Sequence, residues 1–175
     1  NKGGGDGREL EASDLGALQP LEAQTIYEAV ATALDKGSVP STVIFCYPAK
    51  PYVCLGFHQE IEKEIDIALC QRYNLPIIRR SQGGGVTFLD SGQQFYQIIA
   101  DEDSAIVPYA VNEFFEKLLQ PTVYAYRCLG VNAKFKPIND VVINGRKISW
   151  YSLLNATVQL GSLLAEASPQ YPQQS

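Results

Sequence analysis

The segment NDVVINGRKIS, Asn139–Ser149, constrains this chain more than any other stretch. An Asn-Gly pair between apolar runs is the strongest short-range cue for a two-residue β-hairpin, because a type I′ turn needs positive φ at both central positions. With Asn144 and Gly145 as the turn, Ile143 is set opposite Arg146 and Val142 opposite Lys147. The same register sets Asp140 opposite Ser149. Side chains alternate between the faces of a strand, so Asp140, Val142, Lys147 and Ser149 are expected to share one face. A carboxylate, an ammonium and a hydroxyl on one face of a fixed hairpin form a candidate site.

A second cue lies upstream, in RRSQGGGVTFLD, Arg79–Asp90. Glycine permits close backbone approach, so Gly83, Gly84 and Gly85 can offer several amides to an anion. A guanidinium beside bare amides suits a phosphate or a carboxylate. Arg79 and Arg80 are adjacent in an extended segment and therefore point to opposite faces, so at most one is expected in a given pocket. No GK[ST] follows the glycines, which excludes a Walker loop, and an apolar strand follows where a dinucleotide fingerprint would open a helix.

Between these cues, strands alternate with helices, which indicates a mixed α/β or α+β domain. Apolar residues at helical spacing from Ala23 to Leu34, after Pro20 and before Gly37, predict a helix. TVIFCY (Thr42–Tyr47) and YVCLG (Tyr52–Gly56) read as a strand pair joined by PAKP. Glu64–Tyr73 reads as a short helix, PIIRR (Pro76–Arg80) as a buried strand, and GVTFLD and QQFYQIIA as further strands. Val111, Phe114, Phe115, Leu118 and Leu119 form a helical stripe, kinked or restarted at Pro121 and ended by Gly130.

A formal charge of −5 argues against a nucleic-acid-coating protein, and no apolar run approaches a membrane span. Cys46, Cys54, Cys70 and Cys128 form no C-x-x-C pair, and His58 is the single histidine, so no zinc-like cluster is present. Buried reduced thiols and a cytoplasmic location are expected. Residues 1–19, opening with NKGGGDG, are expected as a flexible N-terminal segment, and residues 20–175 as a single catalytic domain. The sequence has no methionine, which leads us to expect segments outside it.

Taken together, RRSQGGGVTFLDSGQQFYQI and NDVVINGRKIS resemble the lipoate–protein ligase family, which is related in fold to biotin protein ligases and class II aminoacyl-tRNA synthetases. Weaker matches occur at LGFHQE and VQLGSLL, and the resemblance runs roughly from Ala23 to Glu166. It implies a mixed central β-sheet flanked by helices and a two-step reaction. Lipoate and MgATP would give lipoyl-adenylate, and a carrier-domain lysine would then take the lipoyl group as an amide. Lys147 would be the catalytic lysine, touching both the acyl carbonyl and the α-phosphate. Arg80, Gly83, Gly84, Gly85, Val86, Thr87, Phe88, Asn139 and Asp140 would line the ATP and adenylate site, with Asp140 a candidate Mg2+ ligand. His58, Arg80, Gly85 and Lys147 would border the lipoyl group.

The implied partners are lipoyl carrier domains of 2-oxoacid dehydrogenase complexes or the glycine cleavage H protein. Many ligases of the family carry a C-terminal accessory domain that is not expected in residues 20–175, so the resemblance leaves two expectations, a separate accessory subunit or a single-domain relative. Some octanoyl transferases of the superfamily use a cysteine shortly before the hairpin, where this chain reads AKFKPIND. A thioester route is therefore disfavoured. In the family, KIS is usually followed by glycine and small residues in a loop over the adenylate, whereas here WYSLLN follows. The rival readings are a transferase that takes its acyl group from a carrier without ATP, and a lipoate-binding module without catalysis.

Overall fold

The computed structural model describes residues 10–101, 104, 111–137, 139–154 and 157–163. In chain order the elements are β1 (Glu11–Leu18), α1 (Pro20–Asp35), β2 (Thr42–Pro48), β3 (Tyr52–Leu55), α2 (Ile61–Glu64), α3 (Ile67–Arg72), β4 (Ile77–Arg79), β5 (Thr87–Leu89), β6 (Gln93–Ile99), α4 (Val111–Cys128), β7 (Lys134–Lys136), β8 (Asp140–Ile143), β9 (Arg146–Leu154) and β10 (Thr157–Leu163). They form a seven-stranded mixed sheet in the order β1-β2-β6-β10-β9-β8-β7 and a three-stranded sheet in the order β4-β3-β5. This is the mixed α/β architecture expected. No helix among the described residues is long and apolar enough to cross a membrane.

Helix α1 begins at Pro20, where the missing N–H costs nothing in a first turn. The Glu22 carboxylate accepts from the Gln19 amide at 2.9 Å, which satisfies one free donor at that end. Its apolar stripe packs with Ile44 and Cys46 of β2, Phe95 and Ile99 of β6, and Tyr52, Cys54 and Leu89 of the small sheet. On the other face of the large sheet, Phe115, Leu118, Leu119, Val123 and Tyr126 of α4 pack on Ile98 and Val141. The alternation of β6 feeds both clusters: Phe95 and Ile99 turn to α1, Tyr96 and Ile98 to α4. Helix α4 runs through Pro121 to Cys128.

Several expectations change. Residues 11–18 are not a flexible segment: they pair in parallel with Thr42–Pro48, a long-range contact with no local signature. β2 and β3 do not form a hairpin, because both edges of β2 are taken by β1 and β6, while β3 pairs with β4 and β5. Pro48 and Pro51 carry no amide donor for a reciprocal ladder, and the chain uses PAKP to cross between sheets. The helix expected over Glu64–Tyr73 is the shorter α3, which starts at Ile67 after an extended Ile65 and is capped by Asp66 accepting from the Leu69 amide at 2.8 Å; the separate one-turn α2 precedes it.

Candidate active site

Arg79 ends β4 and Arg80 follows it, so their side chains leave in opposite directions. Arg79 Nη1 donates to the carbonyls of Gly56, Phe57 and Gln59 at 3.0, 3.0 and 2.7 Å. Arg80 is 8% exposed; its Nη2 donates to the Gly83 and Gly85 carbonyls, each at 2.9 Å. Each arginine therefore holds one loop. Neither role was visible in the sequence, where one of the two, Arg80, read as a cation for a bound anion.

The Arg80 contacts orient the glycine loop. In a trans peptide the N–H lies anti to the preceding carbonyl. With the Gly83 and Gly85 carbonyls drawn to Arg80, the Gly84 and Val86 amides point away from it. Gly83, Gly84 and Gly85 are exposed, and among the described residues their amides donate to no protein acceptor. A buried cation behind outward-facing N–H groups is an arrangement for binding a phosphate or carboxylate.

Close packing then fixes the loop. Gly84 has φ +100, open to glycine and strained for other residues. A Cβ on Gly56 would overlap the Gly84 carbonyl oxygen, so the two backbones touch directly. The Phe57 amide donates to the Gln82 carbonyl at 2.9 Å, and the hydroxyls of Tyr27 and Ser81 are 2.7 Å apart, tying the loop start to α1. Burial raises the Tyr27 pKa and outweighs its hydrogen bond to Ser81, so this phenol stays protonated at neutral pH. Gly56 lies in the weakly matching LGFHQE stretch, which was the available signal for this contact.

The hairpin forms at Asn144 and Gly145, with φ of 50 and 79, as the type I′ turn requires. Ile143 pairs with Arg146 and Val142 with Lys147, as expected. A β-bulge at Ile148 then shifts the register, so Ser149 pairs with Val141 and Asp140 with Trp150. Ser149 is fully buried opposite Val141 and does not share the Asp140 face. Asp140 and Lys147 do meet, with Oδ1 to Nζ at 2.7 Å. Their face is opposite that of Val141, which packs on the α4 side, so they lie on the side of the large sheet that carries α1 and the small sheet. The glycine loop belongs to that small sheet.

The remaining candidates border these two elements. Asn139 immediately precedes β8; Val86 and Thr87 are half-buried, and Phe88 is exposed. His58 is exposed on the loop held by Arg79, its ring edge-on to Phe57 at 5.0 Å. No group of three or more His, Cys, Asp or Glu side chains suited to a metal occurs among the described residues, and Asp140 is already paired with Lys147. Residues 150–154 continue β9 and pair with β10, so no loop opens directly after Ser149.

The three buried cysteines, Cys46, Cys54 and Cys70, are poor nucleophiles. Burial, with a smaller contribution from Asp14, pushes the Cys46 thiol up to about 12. Burial also raises Cys54 although Arg80 Nη1 lies 3.6 Å from its sulfur, and raises Cys70. Cys128 alone is exposed. A chromogenic disulfide reagent at mildly alkaline pH is therefore expected to titrate Cys128 rapidly and the other three only after denaturation. Because the folded chain binds the Cys46 proton more tightly, this group stabilises the fold below about pH 9, the unfolded value, and that contribution is lost as pH rises toward 12.

Residues 19–154 match the model of the lipoyl protein ligase A/B catalytic domain. The chain is 30% identical over 122 residues to octanoyltransferase LipM of Geobacillus kaustophilus, covering 70% of this chain and 44% of that protein. It is 31% identical over 105 residues to lipoate–protein ligase 1 of Staphylococcus aureus, covering 59% of this chain and 30% of that one. The chain thus spans less than half the length of either relative. Its fold superposes on a lipoate–protein ligase A crystallised with ATP at a TM-score of 0.77, with 18% identity, over 91% of this chain and 68% of the other. The matched span holds the glycine loop, its arginine clamps and the Asp140–Lys147 hairpin, and the chain belongs to the lipoyl protein ligase A/B catalytic-domain family.

Proposed function

We propose that this domain activates lipoate as lipoyl-adenylate using MgATP and passes the lipoyl group to a lysine of a carrier domain. The observation that carries this reading is the placement, on one side of the large sheet, of outward-facing glycine amides and the lysine of the Asp140–Lys147 pair. In the first step a lipoate carboxylate oxygen attacks the α-phosphorus and pyrophosphate departs. In the second, the neutral carrier amine attacks the acyl carbon, the acyl–oxygen bond breaks, AMP leaves and the amine loses a proton. Negative charge builds on the same few oxygens in both steps. Lys147 supplies a compact positive charge beside them, Asp140 holds that lysine in place, and the loop amides bind the phosphate without reorganising. Magnesium would arrive as the nucleotide complex and would supply further charge neutralisation; Asp140 is the hairpin carboxylate that could help hold it.

The transferase reading is kept because LipM proteins are among the relatives. The cysteine-dependent form of that reaction places a nucleophilic thiol shortly before the hairpin, where the stretch from Ala133 to Asp140 has none; Cys128, the last residue of α4, lies further upstream. The test is donor dependence. With a carrier lacking its acyl group, lipoate plus MgATP is expected to increase the carrier's mass by one lipoyl amide, and an octanoyl-loaded carrier without ATP is expected to leave it unchanged. The reverse pattern would replace the ligase reading with the transferase.

A further inference from the structure

Strand β7 places two lysines where the site alone does not require them. Lys134 pairs with Val142 and Lys136 with Asp140, while Val142 also pairs with Lys147. Directly paired residues share a face, so Lys134, Lys136, Asp140 and Lys147 stand together on one side of three adjacent strands. Burial agrees: Phe135, between the lysines, packs with Val141 on the α4 side. Lys134 and Lys136 are exposed, and neither makes an ion pair among the described residues. The only carboxylate of this group, Asp140, is taken by Lys147 at 2.7 Å. In a chain of net charge −5, this face carries a local positive excess at the outer edge of the sheet.

We propose that the Lys134–Lys136 face of β7 docks an acidic surface of the carrier domain and steers its acceptor lysine to Lys147. The proposal rests on acyl transfer to a carrier, but not on whether the acyl donor is an adenylate or another carrier. β7 is one of the two edge strands of the large sheet among the described residues, and β7 and β9 are separated by about 10 Å, so a protein seated on β7 reaches Lys147 with one extended lysine. Positive charge at the rim speeds encounter with an acidic partner and rejects basic ones. It has a chemical effect as well. Nearby cations lower the pKa of an incoming amine and raise the fraction that is neutral and nucleophilic. Lysine on an edge strand also blocks edge-to-edge pairing, a role that requires no partner.

The test is the affinity of the whole chain for an apo lipoyl domain bearing acidic residues around its target lysine, titrated at low and high salt. Lys134→Glu with Lys136→Glu is expected to weaken binding roughly tenfold or more at low salt and to flatten the salt dependence. The charge-keeping pair Lys134→Arg with Lys136→Arg is expected to bind as the parent does. Docking on β7 is refuted by equal affinity and salt slope in the glutamate variant, by equal losses in both variants, or by a parent chain that does not bind the domain. Self-association of a Lys134→Gln, Lys136→Gln variant with carrier affinity unchanged would assign these lysines to edge protection and overturn the proposal. Carrier binding with the expected charge dependence, but without acyl-dependent nucleotide chemistry, upholds the docking face and refutes adenylation instead.

Discussion

Lys147→Ala is expected to slow acyl activation by about 10²–10³-fold, the range found when one preorganised donor is removed from a developing anion. Two features of the hairpin make the loss specific. The Lys147 side chain is 49% exposed and, among the described residues, is anchored by Asp140, so its removal deletes no core packing. The pair is a partly exposed ion pair, whose loss costs about 1 kcal/mol or less. Thermal unfolding should therefore shift little while turnover collapses. Lys147→Arg keeps the charge but spreads it over a planar fork that cannot occupy the same point, so it should recover only part of the rate. Comparable rates in the parent and Lys147→Ala would remove this lysine from the chemistry.

The second large effect is expected at Gly56, a residue that contacts no reacting atom in this account. A methyl group there would overlap the Gly84 carbonyl oxygen and lie 2.8 Å from the Gly84 carbonyl carbon. Neither backbone can withdraw freely. Gly56 is held by Arg79 through its own carbonyl, its neighbour Phe57 is bonded to Gln82, and the loop carrying Gly84 is fixed by Arg80 at Gly83 and Gly85. Gly56→Ala is expected to destabilise the fold by about 1–3 kcal/mol, as overpacking does. It should also displace the amides that receive the phosphate, raising the KM for nucleotide. Gly83→Ala is the control: a Cβ there meets nothing within 4 Å, so stability should stay within about 0.5 kcal/mol of the parent. Equal stability of the two variants in a denaturant titration would show that the Gly56–Gly84 contact does not constrain the loop.

The features legible in the sequence are those set by local chemistry. Asn144 and Gly145 specified their turn, Pro20 began its helix at the residue expected, and the three glycines of the Arg79–Asp90 stretch marked an exposed loop between strands. Features set by distant partners were not legible. β1 carries little periodic pattern because it is an edge strand with mostly exposed or half-buried side chains, and only its pairing with β2 makes it a strand. The sheet crossing at PAKP looked like a hairpin because strand pairs joined by short turns usually are. What overrode it was β6 occupying the edge that β3 would have used.

At the site, alternation placed Lys147 with Asp140 correctly but carried Ser149 to the wrong face, because a one-residue bulge has no composition signal and inverts every later position. Arg80 read as a cation for a bound anion, whereas its guanidinium donates to the loop's own carbonyls. The Arg79 clamp on the His58 loop depends on a tertiary approach between Gly56–Gln59 and β4, which sequence spacing does not encode.

The most direct test of the central claim is isotope exchange between pyrophosphate and ATP, run on the parent chain with lipoate, octanoate or biotin and repeated with Lys147→Ala. Exchange is expected to require lipoate or its octanoyl analogue, to be absent with biotin, and to fall to background in the variant. A folded parent chain that binds lipoate but exchanges no pyrophosphate with any acid would contradict acyl-adenylate formation at this site.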